Sequence, residues 1–166
     1  MTRILSTIGE QTAVRFEFVV DGTPAEAFAE YVNGHDGWWP ADHKLGDRDV
    51  VGIAVEPAEG GYWYERDADG GRVTRGRVLV WDPPHRLVTS FALHRDWESD
   101  PARAGASEVE LTFTPNPSGG TVVDIEHRHL DQHGEMYPQF REALLSPRGW
   151  RKVIGDYTTQ VDADAR

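Results

Sequence analysis

The sequence predicts an α+β domain in which an antiparallel sheet of about six to seven strands carries a long C-terminal helix on its dry face. Three observations carry that prediction. Between Asp49 and His129, short segments alternate apolar and polar residues and are separated by Gly- and Pro-containing turns, the pattern of antiparallel strands with one wet face. Near the end, Trp150, Val153, Ile154, Tyr157 and Val161 fall at i, i+3, i+4, i+7 and i+11, a single apolar stripe that must be laid on something. The 166 residues, 39% of them hydrophobic, suit one core and one domain, residues 1–166, with the core from about 12 to 161.

Each element follows from local chemistry. AVRFEFVV, Ala13 to Val20, alternates and is rich in β-branched and aromatic residues, so it is a strand. In DGTPAEAF, Thr23 is an N-cap, Pro24 takes the first helical position and Glu26 completes a capping box. That helix shows Phe28, Tyr31 and Val32 on one face and stops at Asn33-Gly34. DVVGIAVEP places Val51, Ile53 and Val55 on one face, and GGYWYERD with VTRGRVLVWD forms a hairpin through Asp69 to Gly71. RLVTSFALH sets Leu87, Thr89, Phe91 and Leu93 together. SEVELTFTP does the same for Val109, Leu111 and Phe113, and TVVDIEHRH for Val123, Ile125 and His127. RDWESDPARAGAS, 95–107, reads as a mobile loop. Met136, Tyr137, Phe140, Ala143 and Leu144 mark a short helix ended by Ser146-Pro147, and Ser146 is expected to cap the last helix, about Pro147 to Val161.

Composition excludes several function classes. A net charge of −11 opposes binding to nucleic acid and to anionic membranes, both of which need clustered Lys and Arg. Cys is absent, so no disulfide framework, thiolate nucleophile or thiolate metal site is expected. The start lacks the apolar run of a signal peptide and no segment approaches a spanning helix, so the cytoplasm is the expected location. Six Trp, five Tyr and six Phe are core filler or the wall of an aromatic pocket.

Several words carry a family resemblance: TPAEAF, WWP, GGYWYERD, GRVLVWDPPHRL, DIEHRHLDQHGE and SPRGWRKVIGDY. With the element order, they resemble the START-like (SRPBCC) superfamily, the helix-grip fold of the birch-pollen allergen and polyketide cyclases. The likeness is to the bacterial branch named after the heat-shock-protein-90 ATPase activator homologue, and it covers about residues 12 to 160. It implies two short helices after the first strand and a curved sheet gripping the last helix, with a cavity between them for a small apolar ligand. It implies no reaction, because members include carriers, cyclases and stress proteins.

In NGHDGWWPADHKLG the residues His35, Asp36, Asp42 and His43 could be a metal site, an acid/base site or the polar fringe of a hydrophobic mouth; the His spacing is not fixed by a helix, so they are expected to form the solvated rim of such a mouth. Of Trp38 and Trp39, one ring should pack inward and the other sit at the opening. His127 and His129 share a strand face as an H-x-H pair would, with His133 or Glu135 as a third ligand; the preferred reading is a satisfied core His127 with His129 and His133 exposed, and no metal or cofactor. Arg75 and Arg77 could anchor a carboxylate or enolate, and a solvated strand face is the preferred reading.

The expected function is binding of a small hydrophobic, ring-containing molecule. The expected wall takes Phe28, Trp38, Trp39 and Trp63 from the first half of the chain. It takes Phe91, Leu111, Phe113 and His127 from the later strands, and Trp150 and Tyr157 from the last helix. His127 and Tyr157 would orient a polar group on the ligand. The alternatives are a polyketide-cyclase-like enzyme with His127 as general base, and a chaperone-interacting stress protein, which the branch name alone suggests. A homodimer stays open.

Overall fold

The structure is a computed structural model and describes residues 3–4, 12–43, 45, 49–93 and 105–166. Its elements in chain order are β1 (Arg3–Ile4), β2 (Val14–Val20), α1 (Pro24–Asn33), α2 (His35–Trp38), β3 (Val50–Val55), β4 (Tyr62–Asp67), β5 (Arg72–Asp82) and β6 (Arg86–Ala92). They continue with β7 (Ala106–Pro115), β8 (Thr121–Arg128), a 3-10 segment (Leu130–Met136), α3 (Tyr137–Leu145) and α4 (Trp150–Asp164). Seven strands form one curled antiparallel sheet in the order β2-β8-β7-β6-β5-β4-β3, and the two-residue β1 extends the β2 edge. This is the α+β helix-grip architecture.

The alternation in the sequence becomes the two faces of the sheet. On β2 the inward row is Val14, Phe16, Phe18 and Val20; on β7 and β8 the inward rows include Leu111, Phe113, Val123 and Ile125. The outer face is laced by ion pairs: Arg15 with Glu126, Arg86 with Glu110, and Arg128 with Glu108. Exposed pairs of this kind contribute about 0–1 kcal/mol each, so they keep the outer face soluble and add little to stability.

The C-terminal stripe lies on the inner face, with Trp150, Val153, Ile154, Tyr157 and Val161 all buried. Tyr157 meets Phe18 edge-on at 6.2 Å and Tyr31 at 5.6 Å, and its hydroxyl donates to the Ala27 carbonyl at 2.5 Å. A single α4 side chain thus joins β2, α1 and α4. At the other end of α1 the expected capping box is formed, with Thr23 and Glu26 bonded reciprocally.

Four local expectations need correction. Ser146 does not start the last helix; it closes α3, with both its backbone N–H and its hydroxyl donating to the Ala143 carbonyl, and α4 begins at Trp150 after Gly149. Gly149 lies so close to the Ala143 and Leu144 carbonyls that a Cβ there would come within 2.4 Å of both. Val51 does not share a face with Ile53 and Val55: the register between β3 and β4 shifts between Val50 and Gly52, and this bulge turns Val51 outward to 58% exposure. Ala106 and Ser107 belong to β7; the rest of the expected loop, apart from Gly105, lies outside the described residues. β6 is buried along nearly its whole length on both faces.

Ending the chain after Leu145 removes α4 and exposes its stripe and the face beneath. The truncated chain is expected to lose its near-UV circular dichroism and to unfold without a cooperative transition, and a sharp urea transition would refute the dependence on α4.

Candidate ligand cavity

The segment after α1 is built around a buried imidazole. Gly34 stops α1, and one further turn, α2, carries His35 to 1% exposure. Its Nδ1–H donates to the Tyr31 carbonyl at 2.9 Å and its Nε2 accepts from Trp63 Nε1 at 3.1 Å. Trp39 stacks on the ring at 4.9 Å and Trp38 meets it edge-on at 4.7 Å. One ring nitrogen donates and the other accepts, which is the pattern of a neutral imidazole. Burial opposes protonation and pushes the pKa down to about 3. The expectation that His35 belongs to a solvated rim is therefore corrected: it is the polar centre of an aromatic cluster. Asp42 is exposed and His43 half-buried, while Asp36 accepts from the Ile53 backbone N–H and pairs with Arg66. Trp38 is buried and its indole donates to the Glu30 carbonyl at 3.1 Å, whereas Trp39 is half-buried.

The preferred reading of Arg75 as solvated is also corrected. Arg75 is 3% exposed and forms an ion pair with Glu65, itself 1% exposed, at 2.5 Å. The register shift between Trp63 and Tyr64, at Gly76, explains its direction: before the bulge Val73 and Arg75 point inward, and after it Val78 does. A Cβ at Gly76 would come within 2.0 Å of the Ser90 carbonyl, so only glycine permits this close crossing. Arg75 Nη1 also donates to the His43 carbonyl at 2.5 Å, and Glu65 accepts from the Leu45 backbone N–H at 2.6 Å. The guanidinium lies 4.7 Å from the Trp63 ring centroid and 5.2 Å from that of Trp39. The pair thus fixes the segment that follows α2. Arg77 lies over Tyr62 and donates to the Gly60 carbonyl.

Between this segment, the sheet and helices α3 and α4 lies a cavity of about 430 Å³. Trp39, Phe91, Phe140 and Trp150 supply rings to its wall, Leu93, Leu144 and Val153 supply aliphatic surface, and Arg75, His43 and Arg148 supply polar atoms. Its size and apolar character fit a small-molecule site, for which about 300–1,000 Å³ is typical. Of the residues expected in the wall, Trp39, Phe91 and Trp150 line it. Phe28, Trp38, Trp63, Leu111, Phe113 and Tyr157 are enclosed in the core instead: Phe28 of α1 meets Phe113 of the sheet at 5.3 Å, Tyr157 of α4 meets Trp38 at 5.0 Å, and Trp63 meets Phe91 at 5.4 Å.

His127 is fully buried beside the cavity, covered by Phe91 at 4.7 Å and Phe140 at 5.6 Å. Trp150 Nε1 donates to its Nδ1 at 3.0 Å, so a neutral ring carries its hydrogen on Nε2, which faces Ser107 Oγ at 2.6 Å. Ser107 Oγ is in turn 2.7 Å from His133 Nε2. Burial, and then the neighbouring His133, hold the His127 pKa well below its ordinary value. His133 is therefore tied to Ser107 and half-buried, not a free surface group. His129 does not share a face with His127: it follows the strand in a left-handed conformation, φ 59°, and turns outward toward Glu108. Among the described residues no three His, Asp or Glu side chains converge as metal ligands. Ser107 and Phe140 carried no expectation of a role at the site, and the only hint of Arg75's burial was the glycine that interrupts its strand.

Residues 23–155 match the profile of the family described as "Activator of Hsp90 ATPase homolog 1-like protein". No curated protein matches the chain. Among solved structures the chain is similar to Txn09, an anthrahydroquino-γ-pyrone synthase complexed with SUM, at 36% identity over 92% of this chain and 99% of that one, with a TM-score of 0.62. It is similar to CalC, a self-sacrificing resistance protein from Micromonospora echinospora, at 26% identity over 93% and 96% of the two chains, with a TM-score of 0.65. A protein of Nitrosomonas europaea shares the fold at 14% identity over 96% and 99%, with a TM-score of 0.67.

Two predictions follow from the buried polar groups. His35 and His127 are held neutral in the fold, while in the unfolded chain they protonate near pH 6.5. Their contribution is complete above that pH and is lost as pH falls, for His35 down to about 3. Urea unfolding should therefore show stability falling below pH 6.5 by up to about 1.4 kcal/mol per pH unit for each histidine, with a shallower slope in His35→Gln. In the second, Glu65→Leu leaves the Arg75 charge buried alone and should cost about 3–5 kcal/mol in the same assay, most of it recovered in Arg75→Met/Glu65→Leu.

Proposed function

Because the chain belongs to the activator of Hsp90 ATPase homolog 1-like family, and so to the START-like superfamily, we propose that it binds a small hydrophobic, ring-containing molecule between its sheet and its C-terminal helix. The observation that carries this reading is the cavity of about 430 Å³ walled by Trp39, Phe91, Phe140 and Trp150. Flat rings on several sides offer stacking and edge contacts to another flat ring, each about 0.5–1.5 kcal/mol beyond simple burial. The wall is held in advance. Trp150 is tied to His127, and the helices behind it are joined through Tyr157, while the half-buried Trp39 is the part of the wall that can turn. A ligand then finds most of its contacts already ordered, which lowers the entropy lost on binding.

A second reading, ring closure of the polyketide-cyclase type, is favoured by the 36% likeness to a synthase. Under it His127 serves as a positioning residue, because both of its ring nitrogens are engaged and its ring is covered by Phe91 and Phe140. The family's name also evokes a chaperone partner. Against that reading, the exposed large apolar side chains among the described residues, Val19, Val51, Leu79 and Met136, sit on different elements and make no continuous docking patch.

Native mass spectrometry of freshly purified protein tests the first reading directly, by a co-purifying mass that disappears on denaturation. In solution, an apolar aromatic dye should bind and quench tryptophan fluorescence. Trp39→Ala and Phe91→Ala should each weaken it by on the order of 1 kcal/mol, several-fold in affinity. Unchanged dye affinity in both variants would remove the cavity as the binding site.

A further inference from the structure

Two buried N–H donors on residues that line the cavity have no partner among the described residues. Arg75 gives its hydrogen bonds from Nη1, to Glu65 and to the His43 carbonyl, and among the described residues its Nε has no partner. Trp39 Nε1 is likewise buried without a partner. The two side chains are neighbours, with the guanidinium carbon 5.2 Å from the indole centroid. Both line the large cavity, and both line a smaller one of about 150 Å³ bordered by Val50, Ile53 and Glu65, so they form the partition between the two.

The charge of the wall points the same way. The chain carries 28 acidic and 17 basic residues, yet among the described residues no Asp or Glu lines the large cavity, while Arg75 and Arg148 do. Glu65 borders only the smaller space. Both unpartnered groups are donors with no acceptor capacity. Buried N–H groups are nearly always bonded, so two left over side by side in a cavity wall mark the place of an acceptor brought by the ligand.

We propose, on the basis of the ligand-binding reading above, that the cavity selects a ring system bearing an anionic oxygen, a carboxylate or an ionised phenol. The oxygen is received between Arg75 Nε–H and Trp39 Nε1–H while Phe91 and Trp150 cover the flat part of the molecule. Both nitrogens are shielded from solvent, so the oxygen reaches them by a turn of the half-buried Trp39 side chain. A neutral ring compound gains the same apolar contacts without the charge-assisted bond, and a cationic one meets the guanidinium.

The test is binding of two matched probe pairs to the full chain at neutral pH: naphthoate against naphthamide, and hydroxynaphthoquinone against its methyl ether. Each anion should bind wild-type protein about tenfold more tightly than its neutral partner. Trp39→Phe, which keeps a ring and removes the N–H, should shrink that ratio several-fold, and Arg75→Lys, which keeps the charge and removes the fork, should do the same. A preference in one pair alone supports the proposal and tells carboxylate from ionised phenol. Equal affinities within both pairs, or ratios unmoved in both variants, overturn the anion selectivity and leave the cavity reading standing. Failure of all four probes to bind wild-type protein overturns the cavity reading and this inference with it. If Arg75→Lys does not fold, Arg75→Met/Glu65→Leu takes its place, and a preference that survives there also overturns the proposal.

Discussion

The burial of the α4 stripe on the inner face of the sheet is the contact on which the other features depend. Val153, Ile154 and Tyr157 are buried there, and each Å² of apolar surface so removed from water contributes about 25 cal/mol. The same helix sets the site. Trp150 at its start is held by His127 in the sheet, Tyr157 in its middle is held by the Ala27 carbonyl, and the space left beside its first turn is the cavity. Phe140 of α3 meets Phe91 at 6.1 Å, an aromatic contact that closes one side of the cavity wall.

Polar groups inside this aromatic interior obey one rule: each imidazole is kept neutral and each charge is paired. His35 sits between the Tyr31 carbonyl and the Trp63 indole, and His127 between the Trp150 indole and Ser107, so in both rings one nitrogen accepts from a tryptophan. An indole N–H can only donate, which forces its partner nitrogen to be unprotonated. Tryptophan is thus both wall material and the device that fixes the tautomer behind the wall. Arg75 cannot be neutralised in this way, and the fold instead brings Glu65 to it from the adjacent strand.

The architecture and much of the inner face were legible from the chain because their signals are local. Alternation on SEVELTFTP and TVVDIEHRH, the Thr23-Pro24-Glu26 start of α1 and the helical spacing from Trp150 onward all depend on residues a few positions apart. Three of the errors fall where a single residue changes the phase or the start of an element. The bulge next to Gly52 turned Val51 outward, and the one at Gly76 turned Arg75 inward. Gly149 displaced the start of α4 by a few residues from the one expected at Ser146-Pro147.

By itself the sequence determined the family, the order of elements and which rings would be taken out of water, since hydrophobic periodicity and short motifs are properties of neighbouring residues. Only the tertiary structure decided which of those rings face empty space and which face one another. Trp38 and Trp39 are adjacent in the chain, yet one is fixed in the core by the Glu30 carbonyl and the other stands at the wall. The pairing of Arg75 with Glu65, 10 residues apart, and of His127 with Trp150, 23 residues apart, likewise arises from strand register and helix placement. Such contacts form only when the sheet has curled and the helix has closed on it, and no local pattern encodes that geometry.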